Sequence, residues 1–287
     1  MPIGTISLLA LAAVIHGTWN LLSKRSVEKQ VYLWLALVAS LVIFLVPTIA
    51  VVQPLAPHAW VFIVLSGLLE AVYYLLLGSA YQRGDLSLVY PLARGSAPLF
   101  ATFFAVVLLG ERPTLIGLVG ILVIVSGIYT LHLKSLTPRG LAAPLLALRD
   151  RTSQLAVLVG LTIASYSVVD KQGVRAVSPF PYLYFVLLVA ATALAPYMLL
   201  ARRQAVRDEW RSNWLSILLT AVLFVASYLL VLIALSGSQV SYVASVREMS
   251  IVFGALLGAL VLREPFGRTK ILGAALIFAG IVAIAVG

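Results

Sequence analysis

The chain has 287 residues, 62% of them hydrophobic and only 10% charged, a balance that excludes a water-soluble domain. Its formal charge of +10 would suggest nucleic acid as a partner of a soluble protein. In a chain this apolar, Lys and Arg instead fill short loops beside a lipid bilayer, and no nucleic-acid partner is expected. The chain has no cysteine, which excludes disulfides, iron–sulfur clusters and thiolate metal sites.

Ten apolar stretches can each cross a bilayer, since a spanning helix needs about 20 residues. They are 3–23, 31–52, 58–82, 86–110, 114–133, 153–170, 180–200, 213–236, 239–262 and 270–286. Turn and charge signals at 26–30, 53–57, 83–85, 111–113 and 263–268 separate them. No basic run precedes Ile3, so a cleaved leader is not expected. The longest connection, 134–152, holds Pro138 and Gly140 and divides five spans from five. The predicted fold is therefore an all-α membrane protein of two five-helix repeats, 1–133 and 153–287, joined by 134–152.

The repeat is legible in the residues. Span four lies within GDLSLVYPLARGSAPLFATFFAVVLL, and in one ungapped register Gly84 falls on Gly237, Arg94 on Arg247 and Phe100 on Phe253. Further along, Glu111 falls on Glu264, Gly120 on Gly273 and Gly127 on Gly280. At a different offset, Thr18-Trp19-Asn20-Leu21-Leu22-Ser23-Lys24 matches Ser165-Tyr166-Ser167-Val168-Val169-Asp170-Lys171, an aromatic followed five residues on by Lys. An odd number of spans per repeat turns the second half upside down in the membrane, an arrangement that binds substrate near the midplane between halves.

Fifteen of the 20 Lys and Arg residues fall in loops after odd-numbered spans and three in loops after even-numbered ones, with Arg94 and Arg247 the other two. The positive-inside rule then predicts odd loops in the cytoplasm and both termini outside.

On these residues the chain resembles the drug/metabolite transporter superfamily, in its ten-span EamA-type branch. The resemblance covers the whole length. It rests on HGTWNLLSKR, on GDLSLVYPLARGSAPLF, on GERP and REPF closing spans four and nine, and on the Gly-rich spans five and ten. It implies a secondary transporter of small metabolites, often amino acids or other compact polar solutes, in a bacterial inner membrane. The substrate does not follow, because one fold hosts many. Many relatives look as though both termini are cytoplasmic; the charge count here predicts the opposite.

A charge in mid-span normally faces protein or a water-filled cavity. Helical spacing puts Ser87, Tyr90, Pro91, Arg94 and Pro98 on one side of span four, and Val240, Ala244, Arg247, Ser250, Ile251 and Gly254 on one side of span nine. The two arginines would receive an anionic group, or else form internal ion pairs. Glu70, central in span three, is either a salt-bridge partner of Arg94 or a carboxylate that binds an amine or couples a proton. Glu248 points about 100° around the helix from Arg247 and is expected to meet a structural partner. Trp19, Tyr74, Tyr90 and Tyr228 form either an aromatic cage for an ammonium or plain packing. Pro91, Gly95 and Pro98 are where span four would bend or gate.

Lys24 and Lys171 are expected to snorkel to opposite surfaces, and Glu111 and Glu264 to pair with arginines. The paired glycines, with Gly254 and Gly258, predict close helix contact within the monomer or in a homodimer. No metal-ligand spacing, catalytic cluster or nucleotide loop occurs, so neither an enzyme nor a bound cofactor is expected, proton coupling aside. The alternatives to a transporter are a lipid-carrier or headgroup flippase, which needs a lateral opening, and a membrane scaffold.

Overall fold

In a bilayer every backbone amide must find its partner within the protein, so apolar segments of this length become helices. The computed structural model describes residues 1–23, 26–83, 86–133, 150–263 and 267–287, leaving aside the side chains of 81–83, 86–91 and 262. Among the described residues all regular structure is helical. The first half holds α1 (Ile3–Ser23), α2 (Lys29–Ile43), α3 (Leu45–Val51), α4 (Pro57–Arg83), α5 (Leu86–Leu109) and α6 (Leu115–His132). The second holds α7 (Arg151–Ala176), α8 (Pro179–Pro196) with a π turn at Tyr197–Ala201, α9 (Arg203–Gly237), α10 (Val240–Val246), α11 (Met249–Leu262) and α12 (Arg268–Val286). Nine described helical segments are long and apolar enough to span a membrane, and ten if α2 and α3 form one bent span.

The departures from ideal helices have local causes. The 49° bend between α2 and α3 falls at Phe44, where Pro47 lacks an N–H and its ring crowds the carbonyl of Ile43. Span eight starts earlier than its hydropathy predicts. A helical segment from Arg203 joins it through Asn213, whose φ of −131° and ψ of 16° are not helical. That segment carries the exposed Trp210, with Trp214 just past the junction, aromatic rings suited to a membrane interface. Span six runs on to Ala176 rather than ending at 170, which carries Asp170 and Lys171 into the interior. Span four keeps helical structure through Pro91, Gly95 and Pro98. Span nine is the one with a step, between α10 and α11 at Arg247 and Glu248. There the amides of Glu248, Ser250 and Ile251 donate to carbonyls three residues back, at 3.2, 3.1 and 2.9 Å, a tightening of the 3₁₀ kind.

The halves interlock by one exchange rule. α1 packs on α9 and α11 of the other half, and its counterpart α7 packs on α4 and α5. The fifth and tenth spans, α6 and α12, meet each other on their glycines. A Cβ added to Gly120 would stand 2.7 Å from the Gly280 carbonyl oxygen, and one on Gly127 would stand 2.8 Å from that of Gly273. Only glycine permits this approach. As numbering rises along α6 it falls along α12, so these repeat mates run antiparallel and the second repeat is inverted. These glycine pairs serve contact inside one chain.

Candidate functional site

A cavity of about 780 Å³ lies between the halves, walled by α1, α4, α5, α7, α9 and the step in span nine. Its interior face presents Arg94, Arg247, Glu70 and Ser250 among the rings of His16, Trp19, Tyr73, Tyr74, Tyr166 and Tyr228. One end is open, lined by Ser23, Val27–Gln30, Gly78, Leu131–Leu133 and Thr269–Lys270. All of these sit at span ends that lead to odd-numbered loops.

The opposite end is held shut by contacts between elements of even-numbered loops. Glu111 accepts from the amides of Val240 and Ser241 at 2.6 and 3.2 Å and from Ser241 Oγ at 2.8 Å. Its expected arginine is replaced by the first amides of α10, which have no intrahelical acceptor and suit a negative charge. Thr114 donates its amide to Tyr242 Oη at 2.9 Å. Lys171 is buried, and its Nζ donates to the carbonyls of Leu235 and Ser238 at 2.6 and 2.8 Å. It therefore caps the C-terminus of α9 rather than snorkelling to a surface. Lys24 and Glu264 lie outside the described residues.

The central charges are arranged around Glu248. Its Oε2 is 2.8 Å from Arg94 Nε and its Oε1 is 3.8 Å from Arg247 Nε. It is fully buried, while Arg94 and Arg247 retain some exposure to the cavity. Glu70 is therefore not the partner of Arg94 that the sequence allowed. Among the described residues it forms no salt bridge, and its Oε2 is buried without a hydrogen bond. Arg94 also donates to Ser250 Oγ at 3.1 Å. Arg247 donates to Tyr166 Oη at 3.1 Å, with its guanidinium 5.8 Å from the centre of the Tyr166 ring, a cation–π arrangement. The repeat mate of Glu248 is Gly95, where a Cβ would come within 3.2 Å of the Tyr129 ring. One carboxylate thus serves both arginines.

Of the other predicted residues, Trp19, Tyr74 and Tyr228 line the cavity. Trp19 donates Nε1 to Ser227 Oγ at 3.3 Å and rests edge-on against His16, ring centres 4.5 Å apart. Tyr166 links the aromatic wall, 6.1 Å from Tyr73 and 6.4 Å from Tyr228. The side chains of Tyr90 and Pro91 lie outside the described residues. Sequence reasoning set Ser250 on the face of Arg247 but gave no role to Asp170 or His16. Asp170 becomes readable as an inward-facing polar residue once span six is allowed to continue past its first charge.

An EamA-like transporter family model matches residues 3–133 and, separately, 152–286. The chain belongs to the EamA-like transporter family. Both matches fall on the halves just described, so each EamA unit supplies one arginine and one wall of the cavity. No curated protein matches the chain. Among solved structures 29 chains match. One, described only as the crystal structure of a protein, aligns with a TM-score of 0.77 at 18% identity, over 100% of this chain and 98% of its own. That likeness concerns the fold alone.

Proposed function

We propose that this EamA-family protein is a secondary transporter of an amino-acid-like zwitterionic or anionic solute, worked by alternating access of its two repeats. The observation that carries the proposal is the convergence of Arg94 and Arg247, repeat mates, on one buried carboxylate at the wall of one cavity. The guanidiniums of Arg94 and Arg247 both keep some exposure to the cavity and are suited to a carboxylate, phosphonate or phosphate on the solute. Glu70 would receive an amine, and the rings of Trp19, Tyr74, Tyr166 and Tyr228 would face the rest of the solute. With one end open and the other latched, the cavity has the form of one state of an alternating-access cycle. The Lys and Arg distribution favours a cytoplasmic open end, and a bacterial inner membrane is the setting we propose for it.

The test is uptake by proteoliposomes offered a panel of metabolites, followed by thermal stabilisation of the detergent-solubilised protein by each hit. Arg94→Lys and Arg247→Lys keep the charge and lose the planar fork, and each should weaken the affinity about tenfold or more, the equivalent of about 1.4 kcal/mol. Unchanged affinity in both variants removes the arginines from the site. Uptake of lipid-linked headgroups alone would replace the proposal with a flippase, and no uptake with a scaffold.

A further inference from the structure

Asp170 is the buried carboxylate that the transport reading leaves unused. It is fully enclosed, one residue before the latch Lys171, and three hydroxyls from three other helices converge on it. Ser66 Oγ of α4 donates to Oδ1 at 2.5 Å, Tyr182 Oη of α8 donates to Oδ1 at 2.8 Å, and Tyr228 Oη of α9 donates to Oδ2. Tyr228 also lines the cavity, so its side chain connects the cavity wall to Oδ2. Glu70 sits one helical turn from Ser66 on the same face of α4, buried with Oε2 lacking a hydrogen bond among the described residues.

The charged and titratable groups around Asp170 are Glu70 on α4, Tyr182 on α8, Tyr228 on α9 and Arg247 after α10. Lys171 follows on its own helix, and Arg94 of α5 faces the same cavity. Glu70 repels the ionised Asp170, and Arg247 attracts it.

We infer that Asp170 is a proton-binding site, loaded from the cavity across the Tyr228 hydroxyl. The chemistry follows from donor counting. An ionised carboxylate only accepts hydrogen bonds, while a protonated one carries an O–H donor of its own. Three donors aimed at one carboxylate suit the ionised form. When a hydronium ion arrives in the cavity, Tyr228 passes its own hydrogen to Oδ2 and takes one from the hydronium, which is left as neutral water, so the hydroxyl is restored and the carboxyl gains one O–H bond. The new O–H donates back to Tyr228 Oη, which turns its own hydrogen towards the cavity, while Ser66 and Tyr182 go on donating to Oδ1. Protonation of one group on α7 thereby reverses its bond to α9 and weakens those to α4 and α8, which lose an ionised acceptor, beside the closed end of the cavity. The site deepens the transport reading, on which its role in coupling rests, by giving the proton a place distinct from the solute's.

The test needs no solute. Infrared difference spectra of the full-length protein in lipid nanodiscs, taken between neutral and acidic buffer, should show a carboxylic-acid carbonyl band that titrates. Asp170→Asn should remove that band, Asp170→Glu should displace it, and Glu70→Gln should keep the band while moving its midpoint to lower pH, since one repelling charge is gone. Tyr228→Phe should shift its midpoint. The Glu variant keeps a carboxylate should the Asn variant fail to fold. Bands unchanged by both Asp170 substitutions would overturn the inference. So would sodium at fixed pH reproducing the spectral change, which would mark a cation site. If the bands behave as stated while both arginine variants bind solute normally, the solute reading fails alone and the proton site stands.

Discussion

Arg94 and Glu248, from opposite repeats, form an ion pair of 2.8 Å whose carboxylate is wholly buried and also faces Arg247. A buried pair is weak evidence for net stability, but removing one partner strands the other charge. Glu248→Gln leaves two neighbouring guanidiniums with no carboxylate between them. It should lower stability by roughly 3–5 kcal/mol, read as a fall in the thermal unfolding midpoint in detergent. Adding Arg94→Met should recover part of that loss, since the pair's members are coupled. Equal, additive losses in the double-mutant cycle would mean that the pair contributes little.

Glu70 gives the second prediction. Arg94 is engaged by Glu248, and Glu70 forms no salt bridge among the described residues, so Glu70→Gln should leave folding intact. It should raise the concentration of an amine-bearing solute needed for half-maximal counterflow by about tenfold, and leave the response to a pH gradient to Asp170. Loss of the fold, or an unchanged half-maximal concentration, would return Glu70 to a structural role.

The sequence made the spans and the repeat legible for different reasons. Hydropathy located ten crossings because lipid accepts nothing else at that length. The register of Arg94 on Arg247, and of Gly120 and Gly127 on Gly273 and Gly280, exposed the duplication because charge and glycine are rare enough to align. What stayed hidden depended on partners. Hydropathy ends span six at Asp170 because it charges a carboxylate with its desolvation and does not register three hydroxyls from α4, α8 and α9 that offset it. The sequence pairs Glu111 with an arginine, yet its partners are two backbone amides and the Ser241 hydroxyl of the other half, and amides leave no mark in composition. Glu248 pointed away from Arg247 in an ideal helix. The 3₁₀ step and the approach of α5 bring it between both arginines.

Topology yields a third prediction. With odd loops in the cytoplasm, a reporter active only there should be dark when fused after Gly287 and bright when inserted between 201 and 213. The opposite pattern would reverse the sidedness of the open cavity and leave the fold untouched. The segment beginning at Arg203 is helical and carries Trp210, so the insertion belongs at its exposed start, beside Arg202.

The closed end supplies the last prediction. Glu111 holds the first amides of α10, and Lys171 holds the last carbonyls of α9. Each joins one half to the other or one helix to its neighbour at the same mouth, and neither touches the described solute-facing groups. Charge-assisted hydrogen bonds of this kind contribute about 1.5–3 kcal/mol each, so removing one should favour the state in which this end is open. A change of 1–2 kcal/mol corresponds to roughly 5–30-fold in a two-state ratio. The chain has no cysteine, so a single Leu235→Cys, buried at this end, reports opening without interference. Alkylation of that thiol by a membrane-impermeant maleimide should quicken by about 5–30-fold when Glu111→Gln or Lys171→Met is added. Both substitutions together should exceed either alone. A labelling rate unmoved by either would mean that these contacts brace the fold in every state and that the gate lies elsewhere.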